Sequence, residues 1–301
     1  MAETSLTRYA WLSLAVAILT ILLKLTAYFL TGSVGLLSDA LESVVNVVGA
    51  ALALWMIALA AKPPDEDHAY GHFKAEYFSS GIEGLLIIGA ALSIIWESAN
   101  RLFHPHPIEA IPMGLLISGI ATALNLATGL WLIHVGKQYY SVSLQANGKH
   151  LLTDVWTTVG VMIGLGIMQL TGQVWWDALL GLTMALHILW TGYHLVRDAA
   201  LGLMDTALPE VERRAVCAIL DRYNAEGAQY HALRTRQSGV RRFVSVHVLV
   251  PGAWTVHEGH QLLERIEAEI RSTLENVTVF THLESLEDET SWHDQGLDRL
   301  L

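Results

Sequence analysis

Residues 34–61 read VGLLSDALESVVNVVGAALALWMIALAA, and only Asp39 and Glu42 in that stretch ionise. A helix of about 20 apolar residues crosses the ~30 Å of hydrocarbon in a bilayer. This stretch is long enough to do so, and its two acids then lie where ionisable groups are costly. Working outward, five further stretches have the same character, at about 9–30, 77–102, 112–134, 143–171 and 175–197. Residues 1–204 therefore read as a six-helix transmembrane domain. The first stretch is no cleaved signal peptide, since it lacks a small-residue cleavage site and more spans follow it.

The composition agrees. The chain is 52% hydrophobic and 16% charged, with a mean hydropathy of +0.40; a soluble domain carries about 25% charged residues. Its 18 basic and 29 acidic residues give a net charge of -11, which argues against nucleic acid as a partner, because phosphates demand Lys and Arg. A single cysteine, Cys217, excludes a disulfide framework and a multi-thiolate metal site. Fourteen histidines remain.

The short loops give an orientation. Arg8, Lys62, Lys74, Lys137 and Arg197 fall on one side and Arg101 alone flanks a span on the other, which places both termini in the cytoplasm. Trp11, Trp96, Trp131, Trp175 and Trp176 lie near span ends, as an aromatic belt requires.

From Asp205 the pattern changes. A helix from Pro209 to about Tyr223 leads to a strand at His231–Arg236 and the turn Gln237-Ser238-Gly239. A second strand, Phe243–Val250, sets Phe243, Ser245 and His247 on one face against Val244, Val246 and Val248. Pro251-Gly252 breaks the chain before a helix over 255–274 and a strand over 277–284. This αββαβ order predicts a small α+β domain over 205–290, with a loose polar tail after Leu286 that reaches 291–301.

Within the membrane, Glu42 and Asn46 are spaced i, i+4, and so are His150 and Asp154, so each pair shares a helix face. Either pair alone serves equally to satisfy interhelical hydrogen bonds. Together they offer four O and N donors to one divalent first-row cation. Asp39, one turn before Glu42, reads either as a carboxylate behind that site or as a cap on a kink, and Lys24 as a snorkelling or helix-pairing lysine. Outside the membrane, Asp65, His68 and His72 gather in the loop after the second span. The soluble domain carries His231, His247, His260, His282 and Glu284, whose convergence is compatible with the strand order. His257-Glu258-Gly259-His260 is no metalloprotease motif, because its histidines are three apart instead of four.

These residues resemble the cation diffusion facilitators, exporters of divalent metals. The resemblance runs from the first span to Glu284 and is carried by Ser38–Asn46, by His68-Ala69-Tyr70-Gly71-His72-Phe73-Lys74-Ala75-Glu76, by His150–Asp154 and by His231–Arg236. It implies six transmembrane helices and a cytoplasmic ferredoxin-like domain in a homodimer, exchanging cytoplasmic metal for protons by alternating access across a bacterial inner membrane. It further implies a transport site of Glu42, Asn46, His150 and Asp154, and a loop site of Asp65, His68 and His72. His231, His247, His260 and His282, with Glu284, match the family's cytoplasmic metal cluster, and Lys74 with Asp205 an interdomain charge pair. No enzyme is expected. A non-transporting metal sensor or scaffold is the alternative, and a membrane metalloenzyme is a weaker one, since no activating base stands beside a metal-bound water. Zinc is the first expectation for the metal, with Fe, Mn, Co, Ni or Cd admitted by the same donors. Two departures from the family stand out: Glu42 and then the uncharged Asn46, where its zinc-transporting members usually offer Asp or His and then Asp, and Glu284, where they often have Asp.

Overall fold

The computed structural model describes residues 3–104, 108–138 and 142–293, without the side chains of 3–11, 136 and 142–146. The side chains of the expected anchors Arg8 and Trp11, and the tail from 294, lie outside what is described. Two compact units form, one from residues 1–54 with 80–196 and one from 55–79 with 197–301.

Six long helices carry the apolar stretches: α1 (Glu3–Thr31), α2 (Val34–Ala60), α3 (Ala75–Phe103), α4 (Ile111–Gln138), α5 (Val142–Thr171) and α6 (Trp175–Leu203). All six are long and apolar enough to cross a membrane. Large apolar side chains point away from the protein, among them Phe29, Trp96, Trp156 and Leu170, an outward surface that suits lipid and not water. Helix α6 runs six residues past the expected end at 197. Arg197 and Asp198 interrupt the apolar run there, but Ala199, Ala200, Leu201 and Leu203 resume it and the helix continues to Leu203.

The turn between α1 and α2 is tight. Gly32 adopts φ +66°, a conformation that costs glycine nothing, and its N–H closes on the Tyr28 carbonyl at 2.7 Å. The next helix then begins against a buried carboxylate from α6. Asp177 accepts the Ser33 hydroxyl, the Val34 N–H at 2.8 Å and the Gly35 N–H at 3.2 Å. Arg101 of α3 completes the group at 3.1 Å from Asp177. Helix N-termini leave N–H groups unpaired and carry partial positive charge, so a fully buried aspartate here satisfies donors that water cannot reach.

In the second unit, α7 (Glu210–Arg222) precedes β1 (Gln229–Ser238) and β2 (Arg241–Val250), and α8 (Val256–Thr273) leads to β3 (Val277–Ser285). The sheet order is β1-β2-β3, with β1 and β2 antiparallel and β2 and β3 parallel. Parallel neighbours need a crossover, and α8 supplies it. That helix is held at its start by a capping box between Thr255 and Glu258. Val244, Val246, Val248 and Val250 of β2 join Val216, Ile219, Leu262, Ile266 and Ile270 of the two helices in one core. The expected αββαβ order is therefore the observed one.

The region read as a loose tail after Leu286 is partly ordered, which corrects that expectation. Glu289–Trp292 form one helical turn, α9, capped by the Asp288 carboxylate. The Trp292 indole N–H donates to the Leu286 carbonyl at 3.1 Å, and its ring lies 5.9 Å from that of His231. Polar composition concealed this, because an N-cap and one aromatic contact fix a single turn without any apolar periodicity.

Candidate metal centres

In the first unit, α1, α2 and α5 surround a cavity of about 450 Å³. Ser13, Thr20, Ser43, Asn46, Asn147, His150 and Asp154 are its polar lining, and the remainder is alanine, leucine, isoleucine and valine. Three of the four expected transport residues thus line one cavity. Glu42 is not part of its wall; its Oε2 is buried with no hydrogen-bond partner. The Ser13 hydroxyl and the Asn147 amide join across α1 and α5 at 2.9 Å.

Beside this cavity lies an ion pair. Lys24 Nζ donates to Asp39 Oδ1 at 2.8 Å and to Ser43 Oγ at 2.9 Å, and both charged side chains are 1% exposed. Thr158 Oγ1 lies 2.8 Å from Asp39 Oδ1 and 2.8 Å from the Asp154 carbonyl oxygen. The network ties α1, α2 and α5 together at the level of the candidate ligands. Lys24 pairs helices and does not snorkel, and Asp39 acts in that pairing.

The second unit holds two further groups whose ligand atoms all lie within 4.8 Å of one another, Asp65 with His68 and His72, and His231 with His247 and Glu284. In the first, Asp65 Oδ1 is 3.1 Å from His68 Nδ1 and Oδ2 is 3.3 Å from His72 Nε2. Loss of solvation works against the Asp65 charge, but the His68 N–H and ring, with the charges of His68 and His72, hold its carboxyl below the usual aspartate range. Tyr70 seats this loop on the sheet, edge-on to Phe243 at 5.9 Å and to Phe280 at 6.3 Å. The Arg236 guanidinium covers both Tyr70 and Phe243.

The second group follows from strand register. His231 stands opposite His247 across β1 and β2, and His247 opposite His282 across β2 and β3, so three imidazoles form a row on one sheet face. Glu284 is two residues beyond His282 and returns to that face. It reaches His231 Nε2 at 2.8 Å, His247 Nδ1 at 3.2 Å and His282 Nε2 at 3.6 Å. His231 Nδ1 is buried without a hydrogen-bond partner. Two imidazoles and a carboxylate so placed fit a borderline divalent ion. His260 lies elsewhere, exposed on α8, 4.0 Å from Glu264.

Lys74 Nζ lies 2.9 Å from Asp205 Oδ1, and Arg236 NH1 lies 3.1 Å from the same oxygen. Loss of solvation pushes the Asp205 pKa up, but the two cations outweigh it and hold the carboxyl below its usual range. A depressed pKa stabilises the folded state above the ordinary value of about 3.9, and that contribution is lost as pH falls through the lower folded value. Wild type and Asp205→Asn should therefore differ in melting temperature at neutral pH and converge in acid. A gap that stays constant down to the acid limit would show that the charge contributes nothing.

Residues 10–204 match the family described as the cation efflux transmembrane domain, and residues 208–286 the cation efflux protein cytoplasmic domain. The chain belongs to the cation efflux family. That family, the cation diffusion facilitators, consists of transporters, and the chain is an integral multi-pass membrane protein that moves metal cations. It is 47% identical over 285 residues to an uncharacterized transporter of Synechocystis sp., covering 94% of this chain and 92% of that one. It is 29% identical over 276 residues to the cation-efflux pump FieF of Klebsiella pneumoniae, covering 91% of each. A metal-bound C-terminal domain of the CzcD transporter from Thermotoga maritima is 22% identical, covering 27% of this chain and 99% of that one with a TM-score of 0.25.

Sequence reading missed Glu83 and Asp177. Glu83 is a half-buried acid inside α3, and Asp177 is fully buried. The signal for both was their charge within apolar stretches.

Proposed function

We propose that this chain exchanges cytoplasmic divalent metal for protons by alternating access as a homodimer, in a bacterial inner membrane with both termini cytoplasmic. The observation that carries the reading is the cavity on which Asn46, His150 and Asp154 converge within apolar helices. With Glu42 they supply nitrogen and oxygen donors and two carboxylates, which neutralise a divalent ion where net charge is costly. Zinc suits the set, and Fe, Mn, Co, Ni or Cd would bind by the same donors. Metal needs deprotonated ligands, so protons and metal compete for one site and a proton gradient can drive metal the other way. His150 is the one imidazole of the set and the natural exchanging group.

The Asp65–His68–His72 and His231–His247–Glu284 groups would hold further ions, with His282 beside the second. Lys74 and Asp205 would act as a charge interlock. In proteoliposomes, Zn2+ movement should follow an imposed pH gradient and carry protons in the opposite direction. Absence of metal movement, or movement indifferent to the gradient, would overturn the proposal. Asn46 takes up no proton in this range, so Asn46→Asp should move more protons per metal ion than wild type; equal ratios measured side by side would count against that. Asn46 is also the one residue favouring a non-transporting sensor, a reading that the same flux measurement decides.

A further inference from the structure

The cavity is tied at two levels, and the ties are unequal. At one level Asn147 Nδ2 of α5 donates to Ser13 Oγ of α1 at 2.9 Å. At the other, Asp39 Oδ1 of α2 accepts both Lys24 Nζ of α1 and Thr158 Oγ1 of α5, each at 2.8 Å. The step from Ser13 to Lys24 on α1 equals that from Asn147 to Thr158 on α5. The two helices therefore keep one register over about 16 Å at the 1.5 Å rise. Between the ties, Ala17 and Thr20 of α1 and His150 and Asp154 of α5 line the cavity. Asn147, His150 and Asp154 fall at i, i+3 and i+7, on one helix stripe.

Asn147 is held in place from behind. Its neighbour Gly148 meets α4 backbone to backbone: an added Cβ would stand 2.6 Å from the Gly129 carbonyl oxygen and 3.0 Å from the Ile133 N. With α5 seated so closely on α4, the Asn147 amide reaches the cavity at a fixed place. Ser13, itself only 4% exposed, meets it from α1.

The two ties differ in what parting them costs. Separating a buried ion pair strands a charge in a poor solvent for it. A neutral hydroxyl–amide bond has a small net strength, because water replaces each partner. The level of Ser13 and Asn147 therefore opens more readily than that of Lys24 and Asp39. It also lies toward the first residues of α1 and α5, the cytoplasmic end in the orientation proposed above.

We propose that Ser13 and Asn147 form the latch of the cavity's cytoplasmic entrance, closed in this structure. It opens when the amide exchanges the serine hydroxyl for the water shell of an arriving divalent ion. The proposal rests on the exchange function proposed above. Asn147 is then a positioning residue: it sets how often His150, one turn further along α5, can be reached from the cytoplasm.

Thiol labelling tests the latch without requiring transport. In full-length Cys217→Ser protein, Ala50→Cys places a thiol on the cavity wall. Its reaction with a membrane-impermeant maleimide is timed in inside-out vesicles, whose cytoplasmic face meets the reagent, in the absence of metal. Ser13→Ala and Asn147→Ala should each speed labelling about fivefold, the equilibrium factor for one neutral hydrogen bond. The double variant should go no further, because both changes remove the same bond. Ser13→Thr keeps the hydroxyl and should label at the starting rate. A rate that stays level or falls in either alanine variant, or multiplies in the double, overturns the proposal; so does Ser13→Thr labelling as fast as Ser13→Ala. In proteoliposomes the alanine variants should also lower KM for Zn2+ at the cytoplasmic face by a similar factor, since apparent affinity follows the fraction of molecules open to the ion. Labelling that changes as expected in a protein that moves no metal would defeat the exchange function and leave the latch standing.

Discussion

Asp154→Ala and His150→Ala should each reduce Zn2+ transport to the background of empty liposomes while the protein still assembles and resists heat. Changing a residue behind a metal ligand already costs about 10–100-fold in affinity or activity, and these side chains are proposed as ligands themselves. Among the described residues, Asp154 is the only carboxylate on the cavity wall and His150 the only imidazole. Asp154→Asn makes the sharper version, because it keeps shape and removes charge. The helix around Asp154 is held through the Thr158 hydroxyl, which donates to the Asp154 backbone carbonyl, a bond that survives replacement of the Asp154 side chain. Loss of transport in a monodisperse, heat-stable protein would then report the site and not the fold. Metal-driven flux that survives in both variants would remove this cavity as the transport site.

Much of the fold was legible because bilayer physics leaves few choices: a long apolar run must be helical, since no water can satisfy its backbone. The i, i+4 pairs were legible for the same reason, as charge and amide at membrane depth need a purpose. What the sequence could not show is which neighbours those groups choose. Asp39 and Lys24 lie fifteen residues apart on different helices and meet only after α1 folds back at Gly32. Asp177 is 143 residues from Val34, whose N–H it accepts. The cytoplasmic histidines show the complementary limit. Their residue types suggested metal, but the row of His231, His247 and His282 depends on strand register, including a bulge between His231 and Arg234. His260 carried the same chemical signal and points to solvent on α8, where helix phase decided its fate.

Breaking the Lys24–Asp39 pair should be the most damaging single change to stability in the membrane unit. Lys24→Met leaves a carboxylate that is 1% exposed with no cation, and Asp39→Asn leaves a buried ammonium; removing one partner of a buried pair costs about 3–5 kcal/mol. Replacing both charges is another matter, because a buried pair exchanged for neutral groups of similar volume is often neutral or stabilising. The double variant Lys24→Met, Asp39→Asn should therefore recover most of the melting temperature that each single change loses. The asparagine carbonyl still accepts from Thr158, so the link between α2 and α5 persists. Because the pair cancels its own charge, its removal leaves Glu42 and Asp154 to balance a divalent ion as before, and the double variant should keep metal transport that both singles lose. Thermal unfolding of the four proteins in one detergent, with Zn2+ flux on the same preparations, checks both claims. A double variant as unstable as the sum of its singles would show that the two charges do not depend on each other. A stable double variant without transport would instead place Lys24 in the handling of the ion, since charge balance alone would then fail to account for it.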